Sequence, residues 1–155
     1  MAGTVKPIPE GYTAVTPYLI VDGAAAAIDF YTKVFGAVER MRMPGPDGKI
    51  GHAEITISGA NIMLADENPQ MGAQSPKTVG GSPVGLVLYL DNVDKTVEKA
   101  TAAGAKIKSK LEDKFYGDRM GTLEDPFGHT WYVATHIEDV SPEEMKRRME
   151  AMAHA

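Results

Sequence analysis

The feature that most constrains the fold is an internal repeat in the order of the predicted elements. The letters match most clearly between LIVDGAAAAIDFYTKVFGA at residues 19–37 and LYLDNVDKTVEKATAAGA at residues 88–105. Each copy reads as an apolar strand followed by a helix that ends at a glycine, Gly36 or Gly104. Three further extended runs follow each helix, so both halves read β-α-β-β-β. One such module buries little apolar surface, and the repeat therefore predicts two modules that share a domain.

The repeat divides the chain into two modules, a linker and a C-terminal helix. The linker has many glycines and prolines, shows no periodicity and is longer than most connections between elements. The segment Ser141-Pro142-Glu143-Glu144 is a capping box with proline at the first helical position, which predicts the start of the helix. The predicted ranges, within a single domain 1–155, are module one at 12–67, the linker at 68–83, module two at 84–136 and the C-terminal helix at 141–154.

A hairpin closes the second module. Its turn is Asp125-Pro126-Phe127-Gly128, where the aspartate can accept a bond from the backbone that follows it and the glycine tolerates a positive φ. The run after the turn is aromatic and β-branched, which suits a half-buried strand. The stretch before the hairpin, 111–118, is predicted to be irregular. In the first module the corresponding prediction is an opening strand at 12–21 and a helix at 24–35.

Two polar residues share one face of the strand predicted at residues 50–58. His52 and Glu54 point away from the face that carries Ala53, Ile55 and Ile57. A histidine beside a carboxylate can serve as a general base with its orienting group, or as part of a metal site. The alternative is a solvated polar strand face with a hydrogen bond between the two side chains.

Charge and composition exclude several classes of partner. The formal net charge is −5 at pH 7 and no block of lysine and arginine stands out, so we expect no nucleic-acid partner. The sequence has no cysteine, which excludes disulfides and thiolate chemistry and fits a cytoplasmic location. The N-terminal residues show no secretory h-region, and no apolar run approaches the roughly 20 residues of a membrane helix. We therefore expect no membrane partner.

Three segments carry a resemblance to a known family: YLIVDGAAAAIDFYTKVFGA, HAEITISGANIMLADE and YGDRMGTLEDPFGHTW. With the two β-α-β-β-β modules, they resemble the vicinal oxygen chelate superfamily of glyoxalase I, bleomycin-resistance proteins and extradiol dioxygenases, and within it the PhnB-like branch. The resemblance covers about residues 12–150. It implies an α+β fold in which two βαβββ modules form a curved mixed sheet around a cavity, with a C-terminal helix added. It also implies a homodimer that binds a small molecule.

The resemblance further implies a divalent metal held by histidine, glutamine or glutamate from the first and last strand of each module. Counting along the matching segments places those four positions on Thr16, Met63, Gly85 and Tyr132. Divalent ions of this kind need carboxylate or imidazole donors, which these residues do not offer. We therefore predict no cofactor and no metal at the usual positions. A metal at a non-standard site around His52 and Glu54 stays open as an alternative.

The remaining site candidates are side chains expected to line the cavity that the resemblance implies. Aromatic rings with a few polar tips are typical of small-molecule pockets. The guanidinium of Arg119 offers two-pronged binding of a carboxylate or phosphate, although an Arg–Asp pair that fixes its loop is the alternative. Trp131 should point away from Tyr132 into the core. The predicted ligand-binding residues are Thr16, Tyr18, Met63, Tyr89, Arg119 and Tyr132.

Three functions follow as hypotheses. The first is a metal-independent small-molecule-binding protein. The second is a lyase, isomerase or dioxygenase that uses His52 and Glu54, with a metal at a non-standard site or with none. The third is a non-catalytic dimeric interaction protein. It rests on the apolar stripe Met145, Met149 and Met152 of the C-terminal helix, which either docks on the core of its own chain or forms a dimer contact.

Overall fold

The computed structural model describes residues 3–155. The chain divides into two compact units: unit one ends at Val79, and unit two spans Gly80–Ala155. Each unit contains a four-stranded mixed sheet and a helix in the order β-α-β-β-β, and unit two adds a C-terminal helix. The predicted α+β fold of two βαβββ modules is confirmed. Within residues 3–155, no helix is long and apolar enough to cross a membrane.

In unit one the elements are β1 Tyr18–Val21, α1 Ala24–Phe35, β2 Val38–Pro44, β3 Ile50–Ile57, β4 Ala60–Asp66, a 3₁₀ turn Pro69–Met71 and α2 Pro76–Val79. The sheet order is β1-β4-β3-β2, in which β1 runs parallel to β4 and the other pairs are antiparallel. Helix α1 has the predicted bounds, and the left-handed Gly36, with φ 70°, ends it.

The core of unit one lies between α1 and one face of the sheet. The predicted alternation of β3 is confirmed, since Ala53, Ile55 and Ile57 are buried. At the edge of this core, the carboxylate of Asp66 accepts hydrogen bonds from the backbone N–H groups of Gly23 and Ala24, both at 2.8 Å. These N–H groups have no partner within the helix, so Asp66 fixes the start of α1 to the end of β4.

The opening strand is shorter than predicted, because residues 12–17 lie outside the sheet ladder. Gly11 takes a left-handed conformation with φ 79°, and the turn there closes with a bond from the Tyr12 N–H to Pro9. Pro17 has no N–H to donate. At its end the segment is attached through the backbone, since the Pro17 carbonyl accepts the Met63 N–H at 3.0 Å. Elsewhere it is attached through side chains: Asn61 Nδ2 donates to the Gly11 carbonyl at 2.6 Å, and the Tyr12 hydroxyl donates to Glu54. It forms an arm across the sheet face opposite α1.

The segment 68–83, predicted as a linker without structure, is partly ordered within unit one. It contains the 3₁₀ turn and α2, and Ser75 before α2 is fully buried. The carboxylate of Glu67 accepts the Ser75 N–H at 2.6 Å, and the Ser75 hydroxyl accepts the Thr78 N–H at 3.4 Å. These local polar contacts replace the hydrophobic periodicity whose absence suggested a linker.

In unit two the elements are β5 Gly85–Tyr89, α3 Val93–Ala102, β6 Lys106–Asp113, β7 Asp118–Glu124, β8 Thr130–His136 and α4 Pro142–Ala153. The sheet order is β5-β8-β7-β6, in which β5 runs parallel to β8. Strand β6 includes the first three residues of the stretch 111–118 that was predicted to be irregular, and its register against β7 shifts twice. Such bulges hide the period of two on which a strand prediction depends.

The predicted hairpin between β7 and β8 is confirmed, and its aspartate does more than close the turn. Asp125 is 4% exposed and accepts bonds from the backbone N–H groups of Phe127 at 2.9 Å and His129 at 3.0 Å. Its second oxygen accepts the indole N–H of Trp131 at 2.8 Å. Trp131 is buried, as predicted, and Gly128 has φ 91°. The turn is therefore tied to the core of unit two.

Helix α4 is capped as predicted, with the Ser141 hydroxyl accepting the Glu144 N–H at 3.2 Å. Its attachment differs from the expectation. Met149 and Met152 are 55% and 60% exposed, so docking of this stripe on the core is wrong for these two residues. Arg148 holds the helix instead, through the Phe115 carbonyl at 2.9 Å and through an ion pair to Glu138, while its ion pair to Glu144 lies within α4.

Candidate functional site

A chain of hydrogen-bonded side chains lies on the face of unit one opposite α1. The Tyr18 hydroxyl is 2.8 Å from His52 Nδ1, and His52 Nε2 is 3.1 Å from Glu54 Oε1. The other carboxylate oxygen, Oε2, accepts the Tyr12 hydroxyl. We call Tyr18, His52, Glu54 and Tyr12 the tyrosine–histidine network. It contains both predicted catalytic residues and one predicted ligand-binding residue, Tyr18.

The sheet register explains why these residues meet. Across the sheet, Tyr18 of β1 stands beside Met63 of β4, and Met63 stands beside Glu54 of β3. His52 lies two residues before Glu54, on the same face. Because β1 joins the sheet beside β4, the Tyr18 ring reaches toward β3 and stands 5.5 Å from the His52 ring, centroid to centroid. Met63, a predicted ligand-binding residue, lies within this row.

The protonation of the network follows from its contacts. The Tyr12 hydroxyl, and next His52, lower the pKa of Glu54 because they stabilise its ionised form. Hydrogen bonding to Glu54 raises the pKa of Tyr12, and burial followed by the charge of Glu54 raises the pKa of Tyr18. Glu54 is therefore a carboxylate and both tyrosines are phenols at neutral pH. The side chains of His52 and Glu54 are 24% and 21% exposed.

An open groove of about 710 Å³ borders this network in unit one. Tyr18 and Ile20 of β1 form part of its wall, so Tyr18 belongs to both the groove and the network. The turn between β2 and β3 contributes Lys49, whose charge acts on the nearby carboxylate of Glu67. The segment that follows β4 supplies the amide side chains of Asn68 and Gln70. The groove is large enough for a small organic molecule, and its charged lining residues are Lys49 and the three carboxylates Asp47, Asp66 and Glu67.

The other predicted residue of unit one lies apart from the network. Thr16 precedes β1, in the arm, and is half-buried. It and Met63 are the two positions at which the resemblance implies metal ligands in module one. Neither residue supplies a carboxylate or an imidazole, so this half of the implied metal site lacks suitable donors.

The corresponding positions in unit two are Gly85 and Tyr132, which contact each other. A Cβ added to Gly85 would overlap Cε2 of the Tyr132 ring and would stand 3.0 Å from its Cδ2. The ring therefore lies on the glycine backbone, and 39% of Tyr132 stays exposed. These residues do not fit a divalent ion either. The described residues, 3–155, contain no group of three or more histidine, aspartate or glutamate side chains arranged to hold a metal.

Unit two has a polar cluster of its own, which the sequence analysis did not find. The buried Asp118 accepts the Tyr89 hydroxyl at 2.8 Å and contacts His136 Nδ1 at 2.7 Å. Asp139 lies 2.8 Å from the other ring nitrogen, Nε2. The two carboxylates stand on opposite sides of the imidazole and do not converge on a metal position. Bonding to Asp118, and then to Asp139, raises the pKa of His136.

Tyr89 and His136 also border a shallow pocket of about 420 Å³ in unit two. The signal that could have revealed the cluster is the hairpin register, which pairs Asp118 with His136. Asp118 lies at the end of the stretch predicted to be irregular, so the prediction gave it no strand partner. Asp118 is the first residue of β7.

Arg119 faces α3, away from the cluster. Its guanidinium makes a two-pronged contact with Asp94 at 2.9 Å and a third bond to Asp113 at 3.0 Å. The structure therefore agrees with the alternative interpretation, in which an Arg–Asp pair fixes this part of the chain. The partners of Arg119 are Asp94 and Asp113. The hydrogen bonds to both carboxylates raise the pKa of Arg119 further.

Comparisons with known proteins agree with this architecture. An uncharacterized protein of Mycobacterium tuberculosis is 46% identical over 139 residues, which cover 88% of this chain and 82% of that protein. A gene product of Arabidopsis thaliana superposes with a TM-score of 0.64 at 27% identity, over 79% of this chain and 98% of the other. A PhnB protein of Bacillus cereus superposes with a TM-score of 0.63 at 20% identity, over 79% and 99%, and shares the fold.

The family assignment rests on the sequence model of the glyoxalase/bleomycin resistance protein/dioxygenase superfamily, which matches residues 11–133. The match spans both units and includes the arm residue Tyr12, the network of unit one and most of the closing hairpin. The resemblance noted in the sequence is thereby confirmed, and the chain belongs to the glyoxalase/bleomycin resistance protein/dioxygenase superfamily.

Proposed function

We propose that this chain is a cytoplasmic small-molecule-binding protein that holds its ligand in the groove of unit one. The observation that supports the proposal is that Tyr18 belongs to both the groove and the tyrosine–histidine network. A ligand in the groove would meet a polar tip that is already oriented by His52, beside the apolar side chain of Ile20. The lining holds three carboxylates, Asp47, Asp66 and Glu67, against one lysine, Lys49, and this net negative charge favours neutral or cationic ligands.

Binding can be tested with a library of small organic molecules, neutral and cationic ones included, and backbone amide NMR spectra. We expect hits that shift the amide signals of Lys49 and Asn68. Tyr18→Phe should weaken binding, whereas the matched variant Tyr116→Phe, in unit two and outside the groove lining, should not. Hits that shift only signals of unit two, or no hit in a broad library, would contradict the proposal.

We propose further that binding needs no divalent metal at the usual positions of the superfamily. The donor chemistry of Thr16, Met63, Gly85 and Tyr132 supports this. Metal analysis of the purified protein tests it, and we expect no stoichiometric zinc, nickel, manganese or iron. Stoichiometric metal that is lost in His52→Ala or Glu54→Ala would support a metal-dependent lyase, isomerase or dioxygenase instead.

A second candidate function is an interaction protein that forms a homodimer through α4. The exposed side chains of Met149 and Met152 favour it. Sedimentation of a chain truncated after Asp139 tests the role of the helix. A wild-type dimer that becomes monomeric on truncation would support the dimer contact, and an unchanged oligomeric state would exclude it.

A further inference from the structure

The polar cluster of unit two contains more hydrogen-bond acceptors than a neutral histidine can serve. His136, the last residue of β8, is the direct strand partner of Asp118. Its Nδ1 lies 2.7 Å from Asp118 Oδ1, and its Nε2 lies 2.8 Å from Asp139 Oδ1. Ionised carboxylates only accept hydrogen bonds, and a neutral imidazole has one N–H to donate. Both contacts are therefore hydrogen bonds only when the ring carries a proton on each nitrogen.

The two carboxylates differ in how much they need the histidine. Asp118 is 4% exposed, whereas the side chain of Asp139 is fully exposed to water. A buried carboxylate that loses a donor costs more free energy than an exposed one, which water solvates. When the ring loses a proton, it should therefore keep the N–H that points to Asp118 and lose the bond to Asp139.

Asp139 lies in the segment 137–141, which joins β8 to α4. The backbone fixes the first two residues of this segment, since the Gly117 carbonyl accepts the N–H groups of Ile137 at 2.8 Å and Glu138 at 3.0 Å. The bond from His136 to Asp139 then attaches the next residue to the end of the sheet. The contact is thus placed immediately before Ser141, the residue that caps α4.

We propose that His136 is a proton-controlled clamp, which holds residues 139–141 and the start of α4 against the sheet when the imidazole is charged and releases them when it is neutral. The clamp consists of the bonds from His136 to Asp118 and Asp139. It couples the proton concentration to the attachment of α4, the helix that carries the exposed Met149 and Met152. The inference does not depend on a ligand in the groove of unit one.

The direction of the pH dependence follows from the surroundings of His136. The charged and titratable groups around it are Tyr89 and Asp91 from β5 and the turn after it, Asp118 from β7, Asp139, and the ion pair of Glu138 with Arg148 of α4. The bonds to Asp118, and then to Asp139, raise the pKa of His136 above its ordinary value of 6.5. A histidine with a raised pKa in the folded state contributes its stabilisation fully below pH 6.5 and loses it as the pH rises through the raised pKa. The clamp is thus closed in mildly acidic solution and open in alkaline solution.

The test is an NMR titration of the whole chain from about pH 5 to about pH 9, a range that spans the ionisation of histidine. Long-range ¹H–¹⁵N spectra report the protons on the two ring nitrogens of His136. We expect both to be protonated at low pH and the neutral ring at high pH to keep its proton on Nδ1. At the same step, the ¹⁵N order parameters of residues 139–141 should fall from about 0.85 toward about 0.6. A neutral ring protonated on Nε2, or order parameters that do not follow the titration of His136, would overturn the clamp.

Asp139→Ala gives a second test at an exposed site, where the substitution should not disturb folding. We expect low order parameters for residues 140 and 141 at every pH, and a lower pKa of His136 than in the wild type. Asp91→Ala is the matched control, since Asp91 is exposed and borders the same shallow pocket as His136 but takes no part in the clamp. It should keep the wild-type pH dependence. The same pH dependence in Asp139→Ala as in the wild type would show that the clamp does not hold the segment.

Discussion

The ring of Tyr132 lies against the backbone of Gly85, and no other residue type fits beneath it. A Cβ at position 85 would overlap the ring, as the contact geometry shows. The two residues are diagonal neighbours on the parallel strands β5 and β8, since Val87 is the direct partner of Tyr132. An aromatic ring that covers a strand glycine compensates for the packing that glycine lacks. In unit two, the resemblance to the superfamily implies metal ligands at positions 85 and 132. In this chain Gly85 and Tyr132 instead stabilise the sheet by packing against each other.

Gly85→Ala should therefore destabilise the protein by about 1–3 kcal/mol, because the new methyl group displaces the ring. Urea unfolding gives the measurement. Gly51→Ala is a suitable control, since a Cβ there would lie 3.7 Å from the Met43 carbonyl, an ordinary contact. The loss of unfolding free energy caused by Gly85→Ala should be smaller in a protein that also carries Tyr132→Ala. An equal cost in both backgrounds would show that the ring is not its cause.

Asp125→Ala should lower the free energy of unfolding by about 3 kcal/mol, because it leaves three donors without their carboxylate inside the hairpin. The matched variant is Asp47→Ala in the turn between β2 and β3. Asp47 is exposed and accepts one backbone bond, from Lys49 at 3.0 Å, so its loss should cost less than about 1 kcal/mol. Equal costs for the two variants in urea unfolding would contradict this account.

Glu67 should make stability depend on acid pH. Hydrogen bonds from Thr78 and Ser75, with the nearby charge of Lys49, lower the pKa of Glu67 from 4.5 to about 2. A carboxyl group with a lowered pKa in the folded state stabilises the protein fully above pH 4.5, and this contribution disappears as the pH falls toward 2. Glu67→Gln should flatten the pH dependence of the unfolding free energy in that window. A titration midpoint near 4.5 for the Glu67 carboxyl ¹³C signal would disprove the assignment.

Arg148→Ala should release α4, because this side chain joins the helix to Phe115 and Glu138. We expect faster hydrogen exchange along Pro142–Ala153 with little change in the sheet of unit two. Arg147→Ala is the control, since Arg147 pairs with Glu144 on the same helix. Unchanged exchange of α4 in Arg148→Ala would mean that other contacts hold the helix.

The parts of the fold that the sequence predicts well depend on local rules. Helix α1 has its predicted bounds because a clear apolar period ends at Gly36, which takes the left-handed conformation of a helix stop. The turn that begins at Asp125 is likewise predicted from its own four residues, Asp125-Pro126-Phe127-Gly128. The opening strand was predicted to be too long because residues 12–17 suit an extended chain. In the structure, tertiary contacts of Gly11 and Tyr12 hold this segment outside the strand ladder.

The candidate site could be predicted only in part for the same reason. The alternation of β3 places His52 and Glu54 on one face, and the structure agrees. Their partner Tyr18 lies 34 residues before His52, and their contact needs β1 to join β4 in parallel, which no local pattern encodes. The partners of Arg119, on α3 and β6, depend likewise on tertiary packing.

The place of β1 in the sheet has a kinetic consequence. Strands β2, β3 and β4 are joined by short turns, whereas the chain between the paired residues Tyr18 and Met63 contains α1, β2 and β3. Loop closure makes such a pairing slow relative to hairpins, so β1 should dock after the other three strands are formed. The bond between Tyr18 and His52 then arises only in that last step. A ligand that contacts Tyr18 would slow the detachment of β1. The time for which β1 stays paired with β4 would therefore increase with ligand occupancy.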